Sequence, residues 1–274
     1  IAQQVMIAIN EAAAVNALPL CAAILLASKN FQCEKYIFLA LIGKHQQLLA
    51  LKSEHSLLTY AQEESEAVYR QALTMNKFSE EEQAVFCSTK QALQLNYYRN
   101  NIVHLFVLPS LLCNTLRYLL WKNKVLTTDN IIHYSAQLYP FLTAEYFLKR
   151  EENITRILQT ELQQLQKIGV LKFTRGEYSI VDDLLLTVFA RHLRETFLRY
   201  QQLLSLLQRS ATSWADVDKK ALCDRCKARL QSLSIEPFDE KVILVFLQSL
   251  QTVYPDFVQE EQGKLLEDLF YHSF

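Results

Sequence analysis

Apolar positions recur three and four residues apart from Val5 to Ala27, with interruptions at Asn16 and Pro19, then from Tyr36 to Leu51 and from Ala67 to Leu73. That period predicts short, Ala-rich, closely packed helices. Ser79 followed by Glu82 fits a capping box, while "AVFCS" from Ala84 to Ser88 reads equally well as a short strand. From Leu93 the helical period resumes and should break near Pro109, whose ring removes a backbone donor.

A second group of helices begins at the cap residue Thr128, and Pro140 should kink or end the first of them. Leu158, Leu162, Leu165 and Ile168 mark one face of the next, which Gly169 can terminate. "VLKFTRGEYSIV", Val170 to Val181, then alternates around Arg175-Gly176 as a β-hairpin does, the only clear hairpin in the sequence. Leu186, Phe189, Leu193, Phe197, Tyr200, Leu204 and Leu207 predict one long amphipathic helix with Arg191, Arg194 and Arg199 off its buried stripe. Two further helices are expected after entries near Pro237 and Pro255.

Four glycines and five prolines in 274 residues are too few for a barrel or sandwich. The expected class is therefore mainly α, a multi-helix domain with one small β-hairpin at about 170–181. Polar residues at Lys122 to Thr128 suggest a division into 1–125 and 126–274, unless the chain forms one continuous domain. It opens on Ile1 with no signal-peptide pattern and reads as a fragment lacking its upstream part. Ala17 to Ala27 is too short to span a membrane, and Ile102 to Trp121 carries His104, Pro109, Asn114 and Arg117, so neither reads as a transmembrane helix.

The net charge of −1 has no single-sign field, which points away from nucleic acid. Six scattered cysteines, Cys21, Cys33, Cys87, Cys113, Cys223 and Cys226, suit a reducing, cytosolic environment. Cys223 and Cys226 form a CxxC without the second pair a structural zinc needs, and read as ordinary helical cysteines. No metal site is expected. None of His45, His55, His104, His133, His192 and His272 lies in HExxH, and there is no GxSxG elbow or phosphate-cradling glycine loop. The acidic clusters at Glu63, Glu64 and Glu66 and at Glu80, Glu81 and Glu82 read as solvated helix starts.

Two weaker signals concern partners. Lys219, Lys220, Arg225, Lys227 and Arg229 can meet an anionic surface, although a solvated helix face explains them as well. The helix ending at Ile168 with the hairpin behind it suggests a winged-helix element bearing Lys172 and Arg175, but the preceding helix offers only Arg156 and Lys167 as cations. A wing used for packing is the better reading.

The densest polar chemistry is "NYYRNNIVHLF", Asn96 to Phe106, at the mouth of an apolar run. Tyr98, Arg99, Asn100, Asn101 and His104 can fasten this helix to another segment, since each polar group left unpaired inside would cost about 1 to 3 kcal/mol. Direct contact with a ligand is the other reading. The longer segment "YYRNNIVHLFVLPSLL", Tyr97 to Leu112, resembles the YxRNN-hHhF segment in the C-terminal half of membrane-bound glycerol-3-phosphate acyltransferases of the bacterial PlsB type. "VMIAINEAAAVNALPLCAAILLA", Val5 to Ala27, is similar to the stretch just after the acyltransferase core in the same family. Beyond Thr128 the likeness is only one of helical character.

The resemblance implies transfer of a fatty acyl group from acyl-ACP or acyl-CoA to the sn-1 hydroxyl of glycerol 3-phosphate, giving lysophosphatidic acid in the first step of phospholipid synthesis. It implies no cofactor. It also implies a whole protein at the cytoplasmic face of the bacterial inner membrane, with peripheral membrane contact. The family's catalytic signature is a histidine with an aspartate five residues on, so that the carboxylate orients an imidazole acting as base. Here Ala50, Tyr60, Pro109, Leu138 and Phe197 stand five residues after His45, His55, His104, His133 and His192. The Gly-Gly-Arg-Ser-Arg-type phosphate-binding block is absent too. The expectation is a non-catalytic helical portion that braces an upstream acyltransferase half, with Tyr98, Arg99, Asn100, Asn101 and His104 as the fastening. A free-standing helical adaptor and a winged-helix regulator are the alternatives.

Overall fold

The computed structural model describes residues 2–54, 56–149, 153–231, 233 and 239–271. His55, His272 and the helix entry expected at Pro237 lie outside them. Among the described residues there are thirteen α-helices and seven short strands, a mainly α fold.

The first part runs α1 (Ala2–Glu11), β1 (Ala14–Val15), α2 (Ala17–Ala27), β2 (Gln32–Glu34), α3 (Lys35–Ser53), β3 (Thr59–Tyr60), α4 (Ser65–Leu73), β4 (Ser79–Glu81), β5 (Ala84–Phe86) and α5 (Thr89–Asn100). Helix α2 is apolar on every side, so it cannot sit at a surface. Ten of its residues are buried, and α3, α4 and α5 pack around it. Full burial of Leu20, Ile24 and Leu25 stabilises the fold by about 1.5 to 3 kcal/mol each.

The rest comprises α6 (Val107–Trp121), α7 (Thr128–Glu145), α8 (Ile154–Lys167), the hairpin β6 (Leu171–Thr174) and β7 (Glu177–Ile180), α9 (Asp183–Arg191), α10 (Arg194–Ser210), α11 (Lys219–Leu230), α12 (Glu240–Val253) and α13 (Glu260–Tyr271). Helix α6 is the second centre, held by α7, α8 and α9, while α10 carries α11 and α13. The stretch Val103–Trp121 is long and apolar enough to cross a membrane by length and composition, and 72% of it is buried within the fold. Buried apolar residues from Ala13 to Phe270 form one contiguous cluster.

The expected hairpin is present with Leu171 opposite Ile180 and Thr174 opposite Glu177. Arg175 and Gly176 both take positive φ, 55° and 90°, as a two-residue turn matched to strand twist requires. Gly169 closes α8 at φ 89°: its N–H reaches the Gln166 carbonyl, and the Val170 N–H reaches that of Leu165, a Schellman termination.

Four expectations are corrected. Ser79 and Glu82 do not open a helix; Ser79 begins β4 and Glu82 lies in the turn of a second hairpin, β4 and β5, with Glu82 and Gln83 at positive φ and β2 pairing on the other side of β5. Accordingly Glu80 belongs to a strand, where it accepts from Tyr69 and pairs with Lys35, while the capping box of this region is Ser88 with Gln91. The break before α6 falls at residues 101–106, a turn containing the 3-10 segment Val103–Phe106, and Pro109 sits in the first turn of α6, where no intrahelical donor is missed. Helix α7, capped by Thr127 rather than Thr128, continues through Pro140 to Glu145.

The fourth is the long helix, which is two helices, α9 and α10, parted at His192 and Leu193. Ser110 and Asn114 of α6 account for the break. The Ser110 hydroxyl donates to the Ala190 carbonyl (2.8 Å) and accepts from the Leu193 N–H (3.2 Å), and Asn114 Nδ2 also donates to Ala190 (2.8 Å).

Candidate functional site

Ser88 fixes the start of α5: its side chain accepts from the Gln91 N–H, and the Gln91 side chain accepts from the Ser88 N–H. The helical phase of the rest of α5 is set from there. Leu95, Asn96 and Arg99 turn inward, Tyr98 is half-buried, and Tyr97, Asn100 and Asn101 face outward. Asn101 ends the helix and the 3-10 turn carries His104 back toward α1.

Arg99 is buried, and its Nε and Nη2 donate to Oδ1 of the neighbouring Asn100 at 3.3 and 2.9 Å. His104 Nε2 lies 3.1 Å from the Asn10 carbonyl oxygen. A carbonyl can only accept, so the ring carries its proton on Nε2 and donates. Burial holds His104 below the usual imidazole value. Asn10 Nδ2 in turn donates to the Tyr146 carbonyl at the end of α7 (2.9 Å). Through this chain the turn after α5, the end of α1 and the end of α7 are tied together.

Asn10, Asn100, His104 and Tyr146 border a cavity of about 590 Å³. Asn96, Asn100 and His104 line it from α5 and the turn, Asn10 from α1, and Glu145 and Arg199 from α7 and α10. The Arg199 guanidinium pairs with Glu145, and Tyr200 donates to the other oxygen of that carboxylate (2.7 Å). Arg199 is thus nearly buried in an ion pair, a correction to its expected place outside the stripe; Arg194 pairs with the buried Glu195, and Arg191 is half-buried. Spacing does not single out Asn10 and Glu145. Each is one of several polar residues on its helix, and only the tertiary arrangement makes them meet the motif.

The remaining sequence-predicted groups lie elsewhere. Lys219, Lys220, Arg225 and Lys227 are exposed on α11, whereas Arg229 is half-buried and donates to Gln202. On the opposite face of α11 Cys223 and Cys226 are buried, and burial pushes the Cys226 thiol up to about 12. Lys172 and Arg175 are exposed on the β6–β7 hairpin, and the Tyr178 N–H of that hairpin donates to the Leu126 carbonyl (2.8 Å).

One buried pair escapes spacing arguments altogether. His45 of α3 and His192, at the α9–α10 break, face each other with Nε2 to Nε2 at 3.0 Å. His45 Nδ1 donates to the Leu41 carbonyl (2.8 Å), which leaves its Nε2 as an acceptor; His192 must therefore donate from Nε2. Phe189 stacks on His45 and Phe106 on His192, at centroid separations of 4.6 and 4.8 Å. Both imidazoles are buried and neutral, His45 pushed down to about 4 by burial, and His192 well below its ordinary value by burial first and nearby positive charge second. No group of three or more metal-ligating side chains occurs among the described residues.

The order of the two quoted segments, the mainly helical fold and the polar tie at His104 all fall within a stretch that a known family covers. A family model for the glycerol-3-phosphate acyltransferase C-terminal region matches residues 1–237, and the chain belongs to that family.

Proposed function

We propose that this chain is the helical portion that braces the acyltransferase half of a glycerol-3-phosphate acyltransferase and contributes no catalytic residue itself. The whole enzyme would take acyl-ACP or acyl-CoA and glycerol 3-phosphate to lysophosphatidic acid, opening phospholipid synthesis at the cytoplasmic face of the bacterial inner membrane. The family match supports the reaction class, and the lack of a His-x4-Asp pair anywhere in the sequence supports placing the chemistry outside this chain. On this reading 1–125 follows the acyltransferase core and carries the fastening, and 126–274 is the subdomain to which it is fastened.

The observation that carries the bracing role is α1. From Ala2 to Asn10 this helix has no charged residue, yet Val5 and Ile9, one turn apart, are 52% and 58% exposed. A solvated helix face normally carries charge, so this composition suits a covered surface. With no cation over those nine residues α1 has nothing to attract anionic lipid, which favours a protein partner there over a membrane. The tie through Asn10 and His104 would pass force between that partner and the body.

Replacing Ile9 with Asp in the full-length acyltransferase tests this directly. An exposed substitution changes stability by within about 0.5 kcal/mol when nothing covers it. The expected result is loss of folded yield or activity of the whole enzyme with the melting of this chain alone unchanged; full activity would overturn the reading. Arg99→Ala should likewise lower folded yield or activity. Liposome flotation of this chain with anionic vesicles tests whether it contributes the membrane contact, through Lys219, Lys220, Arg225, Lys227 and Arg229.

A further inference from the structure

We propose that an extended segment of the acyltransferase half pairs with the open edge of β1 and adds a third strand to the β1–β3 sheet. This rests on the bracing reading above and names the contact through which the bracing is made. Strands β1 and β3 run parallel, Ala14 opposite Thr59 and Val15 opposite Tyr60. The Thr59 N–H donates to the Ala13 carbonyl (3.0 Å) and the Ala61 N–H to that of Val15 (2.9 Å). In that register Val15 and Thr59 turn their own N–H and C=O toward the partner strand, so Ala14 and Tyr60 turn theirs away from it. Among the described residues the N–H and C=O of Ala14 have no partner. Ala14 is exposed, whereas Tyr60 on the far edge is half-buried.

Open edges are ordinarily guarded, because a row of unpaired N–H and C=O groups is a template for any other strand. Elsewhere among the described residues they are: β2 holds Glu34, β4 Glu80 and Glu81, β6 Lys172 and β7 Glu177, while the uncharged β5 is paired on both sides. From Ala12 to Asn16 the sequence Ala-Ala-Ala-Val-Asn carries neither charge nor proline. A parallel pair two residues long is also too small to stand alone, since parallel strands occur almost only within larger, covered sheets. The chemistry of the edge sets what completes it. A donor and an acceptor from one residue of an extended chain are met by another extended backbone, which a lipid surface does not offer. Continuity favours the acyltransferase half as its source: only two residues separate β1 from α1, whose exposed Val5 and Ile9 form the surface assigned to that half.

Residue-resolved amide exchange read by mass spectrometry, on the full-length acyltransferase and on this chain alone, tests the pairing at one N–H. The Ala14 amide should exchange at the rate of an unstructured amide in this chain and at least about a hundredfold more slowly in the full-length enzyme. Equal rates would overturn the proposal, and the bracing role would still stand if Ile9→Asp disables the enzyme, so the two readings fail separately. Ala14→Pro removes the donor at an edge where this chain makes no use of it. It should leave the melting of this chain unchanged and lower full-length activity or folded yield at least about tenfold, whereas Ala14→Ser, which keeps the N–H, should behave as the parent. Full activity of the proline variant would overturn pairing through Ala14, and the exchange result decides the matter even if that variant fails to fold. Concentration-dependent protection of Ala14 in this chain alone, with a dimer in sedimentation, would assign the edge to a second copy and overturn the proposal as well.

Discussion

Lowering the pH should loosen this protein well before its carboxylates protonate, because His45 and His192 are folded in the neutral state. In the unfolded chain both titrate near 6.5; in the fold His45 is held at about 4 and His192 well below 6.5. Groups whose folded values are depressed in this way, and which gain charge on protonation, give stability that is complete above the unfolded value. It is lost as pH falls below 6.5, because the unfolded chain takes up protons that the fold cannot. His45 then costs about 1.4 kcal/mol per pH unit and withdraws about 2 kcal/mol at pH 5, and His192 withdraws stability in the same direction. Against a total of about 5 to 15 kcal/mol for a domain, that is a large share. The folded pair cannot relieve the loss by accepting one proton: stacked phenyl rings flank it, and the Arg99 guanidinium on α5 raises the local positive potential.

Urea denaturation followed by far-ultraviolet circular dichroism at half-unit steps from pH 7.5 to 5 measures the effect, since the slope of unfolding free energy against pH counts the protons taken up. Burial also lowers His104, so the decisive comparison is with a His45→Leu, His192→Leu double variant. The double variant should be flatter by close to one proton from His45 between pH 6 and 5, and by a further share from His192. If the two slopes coincide, the imidazoles are not held neutral and the tautomer assignment fails with them.

Three further outcomes rest on single contacts. Glu145→Ala, which strands the Arg199 guanidinium in a nearly buried site and removes the acceptor of Tyr200, should cost about 3 kcal/mol in urea denaturation. Gly169→Ala should cost about 1 to 2 kcal/mol by the same measurement: the residue is held at φ 89°, and the nearest atom to the new Cβ is the Lys44 ammonium at 3.5 Å, so the penalty is in the backbone and not in crowding. His104→Ala should leave the core intact but release α1, seen as faster amide exchange from Ala2 to Glu11 with little change elsewhere; equal protection would show that the Asn10 contact does not hold the helix.

How far the sequence is legible here depends on the range of the determining contact. Features set within a few residues read correctly: Gly169 ending α8, the Arg175-Gly176 hairpin, the burial of Leu186, Phe189, Leu193, Phe197, Tyr200, Leu204 and Leu207. Periodicity reports which face of the chain is buried and says nothing of continuity, so a stripe of threes and fours runs unbroken across the α9–α10 break. The groups that make that break, Ser110 and Asn114, are about eighty residues away in sequence. Ser79 misleads for the converse reason. Its local pattern with Glu82 is genuine, but pairing of Val85 between β2 and β4 outweighs a cap worth about 1 kcal/mol.

The same distinction explains why the candidate site is half visible in the sequence. Tyr98, Arg99, Asn100, Asn101 and His104 are conspicuous because five polar residues crowd a short apolar mouth, but Asn10, Glu145 and Arg199, which line one cavity with Asn100 and His104, come from three other helices whose local sequence does not mark these positions out. A single buried polar residue in an apolar helix is unfavourable unless one specific neighbour completes it, so each such residue specifies a pairing that apolar contacts alone would leave degenerate. His45 with His192, Ser110 with Ala190 and Leu193, and Glu145 with Arg199 and Tyr200 all obey that rule. Glu161 and Gln164 obey it only in part. Each has one buried oxygen with no hydrogen-bond partner among the described residues, as Asn96 and Asn114 also do, so in these four the pairing is specified by the remaining polar atoms and the apolar contacts around them.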